Sequence, residues 1–416
     1  MITPGCHVVI QKLGGEHIRV CELGRKRMIL IEKLRFNADG ALNQPFGLFE
    51  VSAGQLTRAC EEMLTNAESI GDIEPQNVND APKTEASSVE STSASCSSVE
   101  EGGRNAAQVR QRLTQEDISN MKSTGVSAGE LVAKLVDGNV AFSERTVYAK
   151  SKYIRRKTKK HSDRVLILKP TVRLIAESYY KKDPDRVANL RIDMLAQVLL
   201  LGGIRSGYKC VVFEQCLGLL TAAVLERLGG EGACVHIHRG LIAQAIPCVQ
   251  SMDFDSKVYS TFLPLRITTL LNGSIEEHEE KNDTTSQDGA AVRFSSLYYV
   301  LLKATLARRA DRLHREKMAW ELMSNKQIDC LLIAVKGVDP IDVLEHTWDS
   351  LRLASTLPLM AAYSWLKEKG AVNVQMCDSF HRSYQVLSES THPVMQQLVA
   401  AGFILSAVKV EPPLQS

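Results

Sequence analysis

The ten cysteines include no Cys-x-x-Cys pair, so neither a zinc knuckle nor a disulfide frame is written into the chain. No apolar stretch reaches the roughly 20 residues that a membrane span requires. The longest surrounds residues 195–204, and Arg205 closes it. The N-terminus carries no apolar signal segment, which predicts the cytosol or nucleus. A large excess of one charge is also missing. The formal net charge is +2 over 416 residues, so any affinity for polyanions has to come from local patches. What is present is the composition of a globular protein, 44% hydrophobic and 24% charged, long enough for two or three domains.

The stretch from Cys210 to His238, CVVFEQCLGLLTAAVLERLGGEGACVHIH, has the layout strand, tight turn, helix, strand. Residues 210–214 form a short apolar run ending in a carboxylate. Leu220, Ala223, Val224 and Leu228 recur at helical spacing, Gly229-Gly230 stop the helix, and residues 233–237 are a second apolar run. Such a unit of about 30 residues is the first half of a nucleotide-binding α/β fold. Its glycines are the next shortage. S-adenosylmethionine-dependent methyltransferases, which the layout resembles, carry E/D-x-G-x-G-x-G here, because glycine lets the backbone approach the nucleotide. This chain reads Glu214-Gln215-Cys216-Leu217-Gly218-Leu219-Leu220. Gly218 is kept, and Cys216 and Leu220 stand where the other glycines belong. After the second strand, His238 and Arg239 replace the carboxylate that would hold the ribose. The reading is a methyltransferase scaffold with a degenerate cofactor site at Glu214, Cys216, Gly218, Leu220 and His238, in a chain that binds no cofactor itself.

Along the chain, residues 8–10, 18–21, 28–31 and 48–51 read as short strands between glycine turns, which predicts a small β-barrel or curled sheet over 1–60. Lys12, Arg19, Arg25, Lys26, Arg27, Lys33 and Arg35 interleave with them, either as a solvated face or as a nucleic-acid surface. Residues 61–112 are an acidic, serine-rich linker, with EASSVESTSASCSSVEEGG at 85–103, too poor in apolar groups to offset ordering entropy. Thr114…Asp117 and Ser127…Glu130 are capping signatures that open two helices. A basic cluster then closes the 113–163 segment. Its side chains Lys150, Lys152, Arg155, Arg156, Lys157, Lys159, Lys160 and Arg164 meet one acid, Asp163. It reads as a phosphate-binding segment, compatible with a nuclear-import signal, with Tyr153 set either to stack on a base or to pack. From 164 to 416, strands (164–169, 329–335, 359–363, 372–376, 403–410) alternate with helices (171–180, 191–201, 297–323, 339–354), predicting a doubly wound Rossmann-like α/β domain. Within it, 272–293 reads as an inserted polar loop, 365–370 as a short helical turn, and Arg308, Arg309, Arg312 and Arg315 as a basic stripe. Residues 258–271 lack the acidic-proline signature of an amino-methyltransferase site.

Other chemistry is weakly signalled. Cys234, His236 and His238 alternate on one strand face, but no fourth ligand lies near in sequence, so no metal is assigned. Cys216 stands before a helix N-terminus, where a thiolate is favoured, yet packing is the simpler role. Trp348 and Trp365 read as core or interface anchors.

Motifs spread over nearly the whole chain give it a family. They include Pro45-Phe46-Gly47, Leu113-Thr-Gln-Glu-Asp-Ile118, Lys152-Tyr153-Ile154 and Lys169-Pro-Thr-Val-Arg173. Arg191-Ile-Asp-Met-Leu-Ala-Gln197, Glu226-Arg-Leu-Gly-Gly230, Arg382-Ser-Tyr-Gln-Val-Leu387, Thr391-His-Pro393 and Gly402-Phe-Ile-Leu-Ser406 follow. In order and spacing they resemble the non-catalytic subunit of the eukaryotic tRNA adenine-N1 methyltransferase, which makes 1-methyladenosine in the T loop. The stretch 388–390 and the insertion after Asn272 depart from that pattern. The resemblance implies a non-enzymatic, tRNA-binding nuclear subunit that pairs with a catalytic paralogue as a heterotetramer of two of each, the paralogue holding S-adenosylmethionine. It adds Arg382 as a tRNA contact and places an interface among Val372, Val374, Met376, Tyr384, Val386, Phe403, Ile404 and Leu405. Two other functions fit the residues alone: an active methyltransferase with an atypical cofactor pocket, or a stand-alone RNA-binding adaptor.

Overall fold

The computed structural model describes residues 1–13, 17–32, 34–59, 111–126, 128–161, 163–240, 244–275, 296–337, 339–351, 360–386, 390–395 and 397–410. The 85–103 tract, nearly all of the 61–112 linker, Ser127 and most of the 272–293 insertion lie outside them. The chain forms two compact units, one of Met1–Pro4, Gln11–Glu16 and Gly24–Ile167, the other of Gly5–Ile10, His17–Leu23 and Leu168–Ser416.

Six short strands open the chain: β1 (His7–Lys12), β2 (Ile18–Glu22), β3 (Met28–Ile31), β4 (Leu34–Asn37), β5 (Gly47–Ser52) and β6 (Gln55–Arg58). Sequence predicted four of them. β4 and β6 each bury one residue, Phe36 and Leu56, and so offer no apolar run to read. In the first unit β3 and β4 pair as an antiparallel hairpin, and β5 pairs antiparallel with β6. β5 also pairs antiparallel with β7 (Arg164–Leu168), Gly47 opposite Ile167 and Glu50 opposite Arg164. The domain boundary expected at 164 therefore falls at 168, because β7 completes the β unit instead of starting the parallel sheet. The expected barrel is present as an antiparallel β unit.

Three helices complete this unit: α1 (Gln115–Ser123), α2 (Ala128–Asp137) and α3 (Val147–His161). The Thr114–Asp117 capping box is formed, with Asp117 N–H donating to Thr114 Oγ1 at 3.2 Å and Thr114 N–H to Asp117 Oδ2 at 2.9 Å. α3 carries the basic cluster. Like charges spaced four apart destabilise an isolated helix, so α3 depends on what it buries. Tyr153 and His161 are buried on it, and Leu131 and Leu135 are buried on α2.

The second unit contains α4 (Val172–Lys182), α5 (Ile192–Leu201), β8 (Lys209–Glu214), α6 (Leu219–Leu228) and β9 (Ala233–His238). Next come α7 (Pro247–Gln250), α8 (Ser256–Ser260), β10 (Phe262–Arg266), α9 (Ile267–Asn272) and the long α10 (Ser296–Ser324). β11 (Cys330–Ala334), α11 (Pro340–Thr347), α12 (Met360–Glu368), β12 (Val372–Phe380), β13 (Tyr384–Val386), β14 (Thr391–Pro393) and β15 (Ala400–Val408) close the chain. Its centre is a parallel sheet in the order β10-β9-β8-β11. Alternate residues divide between two cores. Cys210, Val212 and Cys234 pack with Ile175, Leu195 and Val224 of α4–α6. Val211, Phe213, Val235 and Ile333 pack with Met323, Leu344 and Leu366 of α10–α12. Helices on both faces make the sheet Rossmann-like. β12 and β15 pair antiparallel, as do β13 and β14.

Three expectations change here. The strand expected at 359–363 and the turn at 365–370 are one helix, α12. Its Met-Ala-Ala run favours helix and Gly370, at φ +75°, lies just past its end. The helix expected at 339–354 ends at Thr347 and continues as a 3₁₀ turn, Trp348–Ser350. Residues 258–271 hold β10, between α8 and α9. Trp348 and Trp365 meet edge to face at 5.3 Å within the second core, as anchors. No helix among the described residues is long and apolar enough to cross a membrane.

Candidate functional site

The strand order places a switch point at β8, because the chain runs outward to β9 and β10 and then returns to β8's other side with β11. Doubly wound folds bind ligands outside the carboxyl ends of the strands at such a point. Glu214, the last residue of β8, stands there, buried. Its carboxylate accepts from Leu220 N–H at 3.2 Å and Thr221 N–H at 2.7 Å, so it caps the N-terminus of α6. The Thr221 hydroxyl joins Glu214 to His236, with Oγ1 bonded to the carboxylate and 2.8 Å from His236 Nδ1. Burial raises the Glu214 carboxyl above its usual range, against the pull of the hydrogen bonds from Thr221 and Leu220. Burial also holds the His236 imidazole down at about 4. The group is a closed hydrogen-bonded network, turned inward.

The turn itself is filled. Gly218 adopts φ +82° and caps α6, the conformation for which glycine is suited. A Cβ added there would meet Ile246 Cβ at 2.7 Å and Val249 Cγ2 at 3.2 Å. Side chains from the segment after β9 thus pack against Gly218 where a Cβ would stand. Cys216 and Leu220, which replace the other glycines, are fully buried in the core. Burial pushes the Cys216 thiol well up, so the thiolate reading fails and packing is its role. His238 is buried, its imidazole lowered by that burial, and its Nδ1 has no hydrogen-bond partner among the described residues. The cavity bordered by Glu214, Gln215, His236, His238, Arg239 and Gln244 measures about 40 Å³. Small-molecule sites occupy roughly 300–1,000 Å³. Among the described residues no His, Cys, Asp and Glu cluster is arranged to hold a metal ion, and His236 is already committed to Thr221.

In the first unit, α3 sorts the basic cluster. Lys152, Arg156 and Lys160, spaced four apart, form an exposed row. Lys150 and Lys157 are half-buried, with Lys150 Nζ 5.9 Å from the Phe142 ring and Lys157 Nζ 5.5 Å from that of Tyr153. The side chains of Arg155 and Lys159 lie outside the description. Tyr153 corrects the base-stacking reading. Its ring is 6% exposed, lies 5.6 Å from Phe142 with Arg145 over it, and its hydroxyl donates to Leu135 O at 3.4 Å. It packs, and the cations gather around it. In the second unit Arg382 is exposed, just ahead of β13.

Sequence reasoning missed Arg191, a buried residue of the Arg191–Gln197 motif. Its guanidinium holds Asp193 (Nε to Oδ1 2.6 Å, Nη2 to Oδ2 2.9 Å) and donates to Leu398 O at 2.6 Å and Val399 O at 2.9 Å. It fastens the start of α5 to the segment before β15. The β12–β15 and β13–β14 pairs and the residues beside them carry exposed apolar side chains. Val372, Met376, Tyr384, Val386 and Phe403 are exposed, with Phe380 at 69% and Met395 at 83%, whereas Ile404 and Leu405 are core and Val374 is half-buried.

The sequence profile of the Gcd10p family matches residues 1–293. The chain is 31% identical over 334 residues to the tRNA (adenine(58)-N(1))-methyltransferase non-catalytic subunit of Dictyostelium discoideum, covering 73% of this chain and 63% of that protein. It is 26% identical to the subunit of the same description from Mus musculus, covering 98% of this chain and 88% of that one. Among solved structures, a SAM-dependent O-methyltransferase from Thermotoga maritima aligns over 99% of this chain and 96% of that chain, with 9% identity and a TM-score of 0.46. By the extent of the profile match and the identity to the Dictyostelium protein, this chain belongs to the Gcd10p family.

Proposed function

We propose that this chain is the tRNA-binding, non-catalytic subunit of a tRNA adenine-N1 methyltransferase. In this reading it binds no S-adenosylmethionine, acts in the nucleus, and supports a catalytic paralogue that holds the cofactor, two copies of each making a heterotetramer. The observation that supports the reading is that Cys216 and Leu220, buried in the core, stand in place of two of the turn's three glycines, with Ile246 packed against the one that remains. The exposed row Lys152, Arg156 and Lys160, with Arg382 elsewhere, supplies cations for phosphates, and the same cluster serves import. The paralogue docks on the exposed apolar side chains of the β12–β15 and β13–β14 pairs. Obligate interfaces bury on the order of 2,000 Å² and resemble a core cut open, a description that fits exposed Phe380, Tyr384, Val386, Met395 and Phe403.

The test is expression of this chain alone and with the paralogue, followed by light scattering and methyl transfer to a tRNA transcript. A complex of two plus two, active on tRNA, with this chain aggregating when alone, is the expected result. A monodisperse monomer of this chain, beside a paralogue fully active without it, overturns the reading. Phe403→Asp and Val386→Asp, at exposed positions of β15 and β13, should each reduce co-purification of the paralogue.

A further inference from the structure

The arginine stripe of α10 plays no part in the function proposed above, yet its place in the second unit is specific. The helix runs down the parallel sheet from the carboxyl ends of the strands. Near its middle, Glu316 accepts from Arg266 Nε and from Thr269 Oγ1, both at 2.7 Å, at the carboxyl end of β10. Further on, Met323 lies in the second core, and Asp329, past the helix, accepts from Lys209 N–H at the start of β8 at 2.9 Å. The residues ahead of Glu316 therefore extend beyond the carboxyl ends of the strands, Arg308 by about 12 Å at 1.5 Å per residue. Lys303 and every residue from Leu306 to Arg312 are exposed.

The face of α10 that packs on the sheet continues into this extension. Met323, Ala319 and Glu316 are buried at steps of four and three, and Arg312 and Arg308 follow at further steps of four. These two arginines thus overhang the strand ends. His238, the last residue of β9, senses them: burial first, then the charges of Arg266 and Arg312, lower its pKa against Glu316. Arg239, the next residue, is exposed at the same end, its guanidinium 5.7 Å from the ring of Phe213. The acids of this region are engaged. Glu316 is bonded to Arg266, Asp311 to Arg315 at 3.0 Å, and Glu214 to the start of α6. Like charges four apart, as Arg308 and Arg312 are, destabilise a helix, and no described side chain from Leu306 to Arg312 is buried in return.

The chemistry of the surface selects its occupant. A guanidinium fork matches the oxygens of a phosphate. Interfaces with nucleic acid are far more positively charged than those with protein, whose centres are depleted in charge. We propose that the carboxyl end of the parallel sheet holds the phosphate backbone of an RNA strand on Arg239, Arg308 and Arg312. The inference rests on the tRNA-binding reading and gives the second unit an RNA surface of its own, on other elements than the cluster of α3. The end of the fold that elsewhere takes a nucleotide cofactor takes an RNA backbone here, and contacts to phosphate position the strand without reading its sequence.

The experiment uses the full chain co-expressed with its catalytic partner, takes an unmodified tRNA transcript as the probe, and reads the slope of log affinity against log salt. Arg308→Gln combined with Arg312→Gln should flatten that slope by roughly 1.4–1.8, and Arg239→Gln alone by roughly 0.7–0.9, one phosphate contact for each arginine. Arg308→Lys combined with Arg312→Lys keeps both charges and should keep the wild-type slope. Lys152→Ala, Arg156→Ala and Lys160→Ala combined test the cluster of α3 separately. If that triple variant flattens the slope and either Gln variant does not, the inference is overturned and the RNA-binding reading stands. If the Gln variants flatten it and the triple variant does not, the inference holds and the α3 contacts fall. If neither set flattens it, the underlying reading falls and this one with it. A slope that falls as far in the Lys variant as in its Gln counterpart shows that charge is not what acts, and overturns the inference. Loss of the paralogue from either purified Gln variant assigns this face to a protein partner and overturns it as well.

Discussion

Arg191→Leu should be among the most destabilising single substitutions in the second unit. The guanidinium makes two short bonds to Asp193 and donates to the carbonyls of Leu398 and Val399, and its side chain is only 7% exposed. Leucine fills comparable space but removes every donor. It leaves the Asp193 carboxylate with Ser379 as its remaining side-chain partner, and the carbonyls of Ser379, Leu398 and Val399 without the donor they had. Removing one member of a buried ion pair costs about 3–5 kcal/mol, because the surviving charge stays desolvated. For a unit of this size each kcal/mol corresponds to about 2–4 °C, so the unfolding temperature should fall by roughly 6–20 °C. Acid gives a second signature. The Arg191 guanidinium, followed by Ser379, holds the Asp193 carboxyl far below its ordinary range. A carboxylate depressed in the native state stabilises fully above its unfolded value of about 4 and loses that contribution as pH falls through the native value. The difference between wild type and variant should therefore be widest near neutral pH and shrink as the solution is taken below about pH 4. Thermal unfolding of the co-expressed complex across pH measures both. A loss of less than about 1 kcal/mol at pH 7, or a gap that does not vary with pH, refutes the argument that this clamp is held by charge.

Two further outcomes are expected. Calorimetric titration of the full chain with S-adenosylmethionine should give no saturable heat, and Cys216→Gly combined with Leu220→Gly should not create any, because Ile246 still covers Gly218; a micromolar dissociation constant in either protein contradicts this. Burial, with the surrounding lysines, lowers the His161 imidazole to about 4, so it binds its proton later than the unfolded chain does. Its contribution is complete above the unfolded value of about 6.5 and declines between there and 4. His161→Gln should lose less stability than wild type between pH 7.5 and pH 5 in denaturant unfolding, and equal losses would show that the ring is solvated.

Local signals were legible in the sequence where the physics is local. The Thr114–Asp117 box, the Leu219–Leu228 helix bounded by Gly218 and Gly229, and the runs of β3 and β9 carry their own termination or burial patterns. The strand at 359–363 was misread because a five-residue apolar run has no periodicity to separate strand from helix. β7 was read correctly as a strand but placed in the wrong sheet, since pairing with β5, more than a hundred residues away, leaves no mark in the local pattern. The cofactor turn divides in the same way. Cys216 and Leu220 were visible as departures from glycine, while Ile246, which does the covering, reads as an ordinary apolar residue before Pro247. Tyr153 and His161 sit among cations in sequence, and only the packing of α3 shows that both face inward.

The position of Ile246 bears on the history of the fold. A site that has lost its ligating groups can regain them one substitution at a time, each step leaving the protein stable. A site that has been filled from another segment has no such path. Trimming Ile246, half-buried against the core, to alanine removes packing, and it frees no space for a ligand while Cys216, Leu220 and His238 keep their places. Each of those side chains is itself embedded in a core that has closed around it. The packing thus works as a ratchet. On the proposed reading, a return to cofactor binding would require several buried positions to change together, not one at a time.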